Sequence, residues 1–292
     1  MPRRFWFGSA VMLALLAGPA LADDAVKLEM KFKEGDKFYV ETVSNTKTVM
    51  DILGKNESEI DSTQVTSITV KKSDKDGVVL VERIESLKNK NLPGADKIVD
   101  ALKGATITLT LNNKGEVTKI EGYDEFMKKL SADNEQTGKM LRSFMSEDTI
   151  KATASENFAF LPAKAVSKGD TWKRPQTIPL GPMGSLKGES TYTFKGAGKD
   201  GEEISFDQSL EYAPPKEGDD SLLFKITKGE MKADKSSGTK TFDASKGRLV
   251  KTEQTTKMKG SFTFESAGTS MTVTMEMTQT VKTRILDKNP LD

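Results

Sequence analysis

From Met271 to Ile285 the chain alternates with a period of two. Met271, Val273, Met275, Met277, Val281 and Ile285 share one parity, and Thr272, Thr274, Glu276, Thr278, Thr280, Lys282 and Arg284 share the other. Successive side chains of a strand point to opposite faces, so this segment predicts a long strand with one buried and one wet face. The same pattern recurs at Leu186/Tyr192/Phe194, Ile204/Phe206/Leu210/Tyr212, Leu222/Phe224/Ile226, Phe262/Phe264 and Ile107/Leu109/Leu111. One-sided burial is the habit of antiparallel sheets, because parallel sheets bury both faces. Turn residues agree. Lys75-Asp76-Gly77, Asn113-Lys114-Gly115, Lys199-Asp200-Gly201 and Ser245-Lys246-Gly247 each place a glycine between strand-like runs, as hairpins require.

Helical spacing is concentrated in a central block. Tyr123, Phe126, Met127 and Leu130 fall at i, i+3, i+4 and i+7; Met140, Leu141, Phe144 and Met145 continue on a second helix. Ser146-Glu147-Asp148 predicts the cap of a third. A shorter helix is expected from Pro93 through Ile98, Val99 and Leu102 to a stop at Gly104. Gly181-Pro182-Met183-Gly184 reads as a flexible connector.

Two segments resemble each other. Phe32-Lys33-Glu34-Gly35-Asp36-Lys37-Phe38 and Val166-Ser167-Lys168-Gly169-Asp170-Thr171-Trp172 both read apolar-x-x-Gly-Asp-x-aromatic, and each opens a strand-rich half. The glycine suits a turn, and the aspartate can accept backbone hydrogen bonds ahead of the strand. Similar strands also follow the later turns, at Glu116–Ile120 and Arg248–Thr252. The expected fold is therefore mainly β: an antiparallel twisted sheet or half-barrel from two half-repeats, with a central helical insertion. The expected division is a signal peptide at 1–22, an N-terminal β half-repeat at 23–121, a helical insertion at 122–155 and a C-terminal β half-repeat at 156–292.

The segment from Phe160 to Trp172, with its LP-x-K-x-V-x-x-G-D-x-W pattern, resembles a signature of an uncharacterised exported bacterial family with a domain of unknown function. Gly35-Asp36-Lys37-Phe38 and the turn from Leu111 to Val117 are similar to that family as well. The resemblance implies an envelope or secreted location and carries over no catalytic residue.

The beginning of the chain points the same way. Arg3 and Arg4 precede a short apolar run from Ser9 to Leu21, and Ala20-Leu21-Ala22 offers a small-x-small cleavage site before Asp23. The run is shorter than the roughly 20 residues of a spanning helix. The expectation is an exported protein, periplasmic or extracellular, with no integral membrane segment after cleavage between Ala22 and Asp23. Charge is nearly balanced, 44 Lys+Arg against 43 Asp+Glu, which leaves no electrostatic footprint for nucleic acid.

Composition removes much chemistry. With no cysteine and no histidine, the chain has no thiolate nucleophile, disulfide, Cys/His zinc site or imidazole base. Neither a cofactor nor a metal is expected. Ser237-Gly238-Thr239-Lys240 and Ser44-Asn45-Thr46-Lys47 match S-x-x-K by letter, in strand contexts and without the partner elements a Ser–Lys hydrolase uses. Glu202-Glu203 and Asp219-Asp220 are adjacent carboxylates, which a strand would point to opposite faces.

Methionine is the compositional feature that stands out. Met258, Phe262, Phe264, Met271, Met275 and Met277 share one face if the last two strands pair about Ala267-Gly268, and flexible, polarisable Met suits varied apolar partners. Two uses of this face are open. It packs against the central helices as core, or it lines an apolar groove lidded by helices between Tyr123 and Thr153. The groove would resemble the periplasmic lipoprotein carriers in architecture, though none of their motifs is present. The leading expectation is a non-enzymatic protein binding an apolar ligand or a lipidated partner. The alternative is a structural or interaction module of the envelope, pairing with another envelope protein. Gly35, Asp36, Gly169, Asp170 and Trp172 are assigned structural roles.

Overall fold

The computed structural model describes residues 25–91, 95–131, 135–215, 225–266 and 268–292. The signal and its cleavage site, Pro93, Asp219-Asp220, Leu222, Phe224 and Ala267 lie outside them. Alternation becomes strands throughout. The first half forms β1 (Lys37–Asp51), β2 (Lys55–Asp74), β3 (Gly77–Lys90), β4 (Thr106–Leu111) and β5 (Val117–Glu121). The second forms β6 (Thr171–Pro179), β7 (Ser185–Ala197), β8 (Glu202–Ala213), β9 (Lys225–Asp243), β10 (Arg248–Ser266) and β11 (Thr269–Leu286). They make one antiparallel sheet in the order β5-β4-β3-β2-β1-β11-β10-β9-β8-β7-β6. The sheet is open, with β5 and β6 at its edges. The chain starts in the middle, meanders to one edge, crosses to the other and meanders back.

The two halves meet where β1 pairs with β11, in register from Tyr39 opposite Leu286 to Asp51 opposite Thr274. Their opening turns make the same bonds. Gly35 N donates to Val70 O and Val70 N to Asp36 O, each at 2.9 Å; Gly169 N donates to Phe194 O at 2.8 Å and Phe194 N to Asp170 O at 2.9 Å. Each aspartate also accepts a backbone N–H three residues upstream, Lys33 at 3.3 Å and Ser167 at 2.8 Å. The next hairpins match too. Gly77 (φ 149°) and Gly201 (φ 141°) sit in the turns β2–β3 and β7–β8, and a Cβ on either would strike a carbonyl, that of Leu111 or of Phe242. Only glycine fits such a close backbone approach.

Among the described residues four helices pack on one another and against β3, β4, β5 and β6. α1 (Ala95–Leu102) follows β3 and stops before Gly104, whose φ is 74°. α2 (Tyr123–Ser131), α3 (Glu135–Phe144) and α4 (Glu147–Ser155) lie between β5 and β6. Ser146 caps α4, its Oγ accepting from Thr149 N at 3.2 Å. α4 is tied to the sheet edge where Val117 N donates to Ser155 Oγ at 2.9 Å. The stretch from Gly181 to Gly184 is a 3-10 turn rather than a flexible connector. Leu180 N donates to Gly184 O across it, and Tyr212 Oη donates to Met183 O, both at 2.8 Å.

On the long strands the apolar parity faces inward. Three clusters fill that side: Phe38, Ile68, Val70, Leu80, Leu109 and their neighbours in the first half; Phe160, Tyr192, Phe194, Ile204 and Phe242 at one end of the second; and Leu186, Leu210, Met231 and Phe262 at its other end. Inward glycines let rings lie across β9. A Cβ on Gly238 would stand 2.7 Å from Phe206 Cζ, and one on Gly229 2.6 Å from Tyr212 Cε1.

Candidate functional site

Strand register defines the inner face around the β1–β11 seam. Lys240 is opposite Thr252 on β10 and Ile204 on β8. Glu82 lies between Ile68 on β2 and Ile107 on β4. On this face a cleft of about 270 Å³ touches nine of the eleven strands, all but β4 and β5. Eight strand spacings separate β3 from β6 in the sheet, a span of about 40 Å if it were flat. One small cleft reaching Glu82 on β3 and Gln176 on β6 therefore requires the sheet to curl over on itself.

Two segments cap the cleft. One runs from Met30 to Phe32, the other from Glu156 to Phe158 just after α4. The first is pinned by Lys31 N donating to Gly247 O at 2.8 Å and by a bridge between Val26 and Val166. Phe32 holds the caps together, stacked on Phe38 at 6.4 Å and edge-on to Phe158 at 6.3 Å.

The lining mixes chemistries. Phe32, Phe38, Ile68, Phe158, Phe206 and Ile285 supply apolar surface, and Gln64, Gln176, Gln208, Gln254, Thr252 and Thr283 supply hydrogen-bonding groups. The amides belong to a polar belt across the inner face. Gln208 Oε1 accepts from Ser236 Oγ at 2.7 Å and from Gln254 Nε2 at 2.9 Å, and Gln208 Nε2 donates to Ser190 Oγ at 3.0 Å. Ser190 is fully buried and Ser236 nearly so, so these bonds satisfy groups that water does not reach.

Four acidic or basic side chains line the cleft: Glu82, Glu156, Lys240 and Arg248. Arg248 is paired with Asp287, which Lys246 also contacts at 2.8 Å; these two cations hold Asp287 below the usual carboxylate range. Its guanidinium lies 5.1 Å from the Phe38 ring centre. Lys240 differs. It is only 8% exposed, and its Nζ lies over the rings of Phe160 at 4.8 Å and Phe206 at 5.4 Å. Among the described residues no hydrogen bond or ion pair within 4.0 Å takes up its charge. Burial lowers its pKa to about 8, and Glu156 acts in the opposite sense. Burial raises Glu156 to about 7, with Lys240 opposing, and raises Glu82 to about 7.

The sequence-predicted Met and Phe residues lie on the same inner face, further along the strands. Met258 is opposite Met277, Phe262 opposite Val273, and Phe264 opposite Met271. Phe262 is buried against Leu186, Leu210 and Met231, with Met258, Phe264 and Met275 around it, while Met271 is 42% exposed. Phe262 and Tyr212 meet edge-on at 5.2 Å. These side chains pack on one another and on β7–β9 rather than beneath the central helices. Trp172 stacks on Tyr192 at 5.5 Å and donates from Nε1 to Phe160 O at 2.7 Å. Ser237 is paired with Asp207 and Thr255 on the outer face, opposite to Lys240, so the S-x-x-K letters form no dyad. Ser44 and Lys47 are split between faces in the same way. The pattern missed Glu82, whose isolation between Leu80 and Ile84 on an apolar parity is the signal that marks it, and named Lys240, between Gly238 and Phe242, only as the lysine of an S-x-x-K match.

Residues 55–249 match the model of DUF6263, a family of unknown function. The chain belongs to that family. No protein of curated function matches it in sequence. Among solved structures, one titled for lipid–protein interactions in lipovitellin is similar over 89% of this chain, with a TM-score of 0.48 and 10% identity. This chain spans about a quarter of that one, 26%. A DUF1329 family protein from Desulfovibrio piger has a TM-score of 0.20 and 11% identity, covering 86% of this chain and 87% of its own. The outer membrane protein OprG from Pseudomonas aeruginosa has a TM-score of 0.21 and 5% identity, covering 88% and 99%. Among the described residues no helix is long and apolar enough to cross a membrane.

Proposed function

We propose that this chain is an exported, non-enzymatic binding protein whose cleft takes a small amphiphile. The observation that carries this reading is the cleft beneath Glu156–Phe158, whose lining combines aromatic rings, amide side chains and charged groups. Its volume of about 270 Å³ stands near the lower end of the roughly 300–1,000 Å³ usual for small-molecule sites. That room suits one alkyl chain of moderate length, free or attached to a larger partner, rather than a whole two-chain lipid. The export part of the reading rests on the first 22 residues.

Edge pairing with an envelope protein finds less support. β6 carries Pro175 and Pro179, which lack the N–H a ladder needs, and the short β5 has Val117 N engaged by Ser155.

The test is to purify the mature protein, extract it with organic solvent and analyse the extract, then titrate decanol while following Trp172 fluorescence. A co-purifying amphiphile, or saturable binding abolished by Thr283→Trp in the cleft wall, is the expected result. An empty extract together with no saturable binding overturns the proposal.

A further inference from the structure

We infer that the cleft is selective for amphiphiles bearing an acidic head group, with Lys240 as the residue that receives the acid. This rests on the cleft reading above and adds the ligand's chemical class. A lysine more than nine-tenths buried, over two aromatic faces and, among the described residues, without an ion-pair partner within 4.0 Å, is costly in the empty protein. Core packing would be served better by an apolar residue of the same size. The ammonium lines the cleft, so an entering carboxylate can supply the partner that the fold withholds.

The surroundings favour an anion over a cation. Arg248 is already matched by Asp287. Arg174, on the inner face of β6, donates from Nη2 to Leu161 O, while its buried Nε has no hydrogen-bond partner among the described residues. Arg174 and Glu156 both act on the buried Tyr192 hydroxyl, which places a second cation in the same neighbourhood. Thr252, directly opposite Lys240 on β10, and Gln176 in the same lining offer further donors. The groups that oppose an acid are Glu156 and, across the cleft, Glu82. Both are carboxyls that burial makes easy to protonate near neutrality. Lys240 remains mostly charged there, so taking up a proton at Glu156 leaves the cation free for the ligand's carboxylate. Binding of the acid is therefore accompanied by proton uptake and weakens as pH rises through about 7.

The experiment compares decanoate, decanol, decylamine and acetate on the full mature chain by calorimetry, at about pH 6 and about pH 8, either side of the Glu156 transition. Decanoate is expected to bind roughly tenfold or more tighter than decanol at the lower pH, the size of a charge-assisted hydrogen bond. Lys240→Met should bring decanoate down to the level of decanol, and its far-ultraviolet circular dichroism should match the parent's, which shows that the variant is folded. Lys240→Arg should retain much of the preference, and Glu156→Gln should keep acid binding while removing most of its decline with pH. Equal binding of acid and alcohol, a preference for the amine, or decanoate binding insensitive to Lys240→Met overturns the head-group assignment and leaves the cleft reading standing. Acetate binding as tightly as decanoate makes this a site for small anions and overturns selectivity for amphiphiles. Failure of every decyl compound to bind removes the cleft reading and this inference together.

Discussion

Lys240 sets the cost of the site at the scale of single residues. Its pKa falls from 10.5 to about 8, so the folded chain holds this proton less tightly than the unfolded chain does. Stability is then lost as pH falls from the unfolded value through about 8, and the whole penalty is present at neutrality. Replacing it by Met should stabilise the unliganded protein at pH 7 by on the order of 2 kcal/mol, several degrees in Tm by calorimetry. The gain should shrink as pH approaches about 10, the range where the unfolded lysine also loses its charge. Glu82 has the opposite sign. Its pKa is raised from 4.5 to about 7, so the stability it permits is complete below about 4.5 and is lost as pH rises through about 7. Glu82→Gln should match the parent in urea melts at about pH 4 and exceed it by on the order of 2 kcal/mol at about pH 8. A variant that is less stable than the parent at the higher pH would contradict the burial account. In the sequence Lys240 stood out only as the lysine of an S-x-x-K match and Glu82 was passed over, although Glu82 stands between Leu80 and Ile84 on an apolar parity. That they border one cleft was not legible, since β3 and β9 lie five places apart in the sheet.

At the scale of elements, local physics was largely readable. Period-two alternation gave the strands, glycine after a polar pair gave the hairpins, and Ser146 capped the helix it preceded. The two Gly-Asp openings differ in how well the aspartate is used. Asp170 accepts from Ser167 N at 2.8 Å, whereas Asp36 accepts from Lys33 N at 3.3 Å. Asp170→Ala should cost about 1 kcal/mol in urea denaturation and Asp36→Ala less, because hydrogen-bond strength falls with that stretch. An equal or reversed ranking would mean that the aspartates act through something other than these bonds. What the pattern could not assign was the Met-rich face. Parity placed Met258, Phe262, Phe264, Met275 and Met277 together, but what packs against a face depends on the bend of the sheet. Here the bend brings Leu186, Leu210 and Tyr212 of β7 and β8 onto it.

For the molecule as a whole, the seam between β1 and β11 is the decisive contact. The halves are separate in sequence, yet their junction is a continuous antiparallel ladder thirteen positions long in the middle of the sheet. Residues 23–155 and 156–292 expressed apart should each expose one long unpaired strand of that ladder, and each should aggregate or stay unfolded by circular dichroism. Co-refolded, they should associate and recover the β signal and decanol binding. Independent folding of either piece as a stable monomer would show that the seam is dispensable.

The order of polar and apolar residues by itself determined that this chain is a meander of amphipathic strands with a helical interruption. Those properties depend on neighbours two to four residues away, which sequence displays directly. The cleft was decided only in three dimensions. Curling one open sheet until β3 and β6 border the same space requires bulges, inward glycines and capping segments acting across more than a hundred residues. The charge of Lys240 acquires its meaning there as well, because the scarcity of water around it is a property of the closed arrangement and of no local stretch of chain.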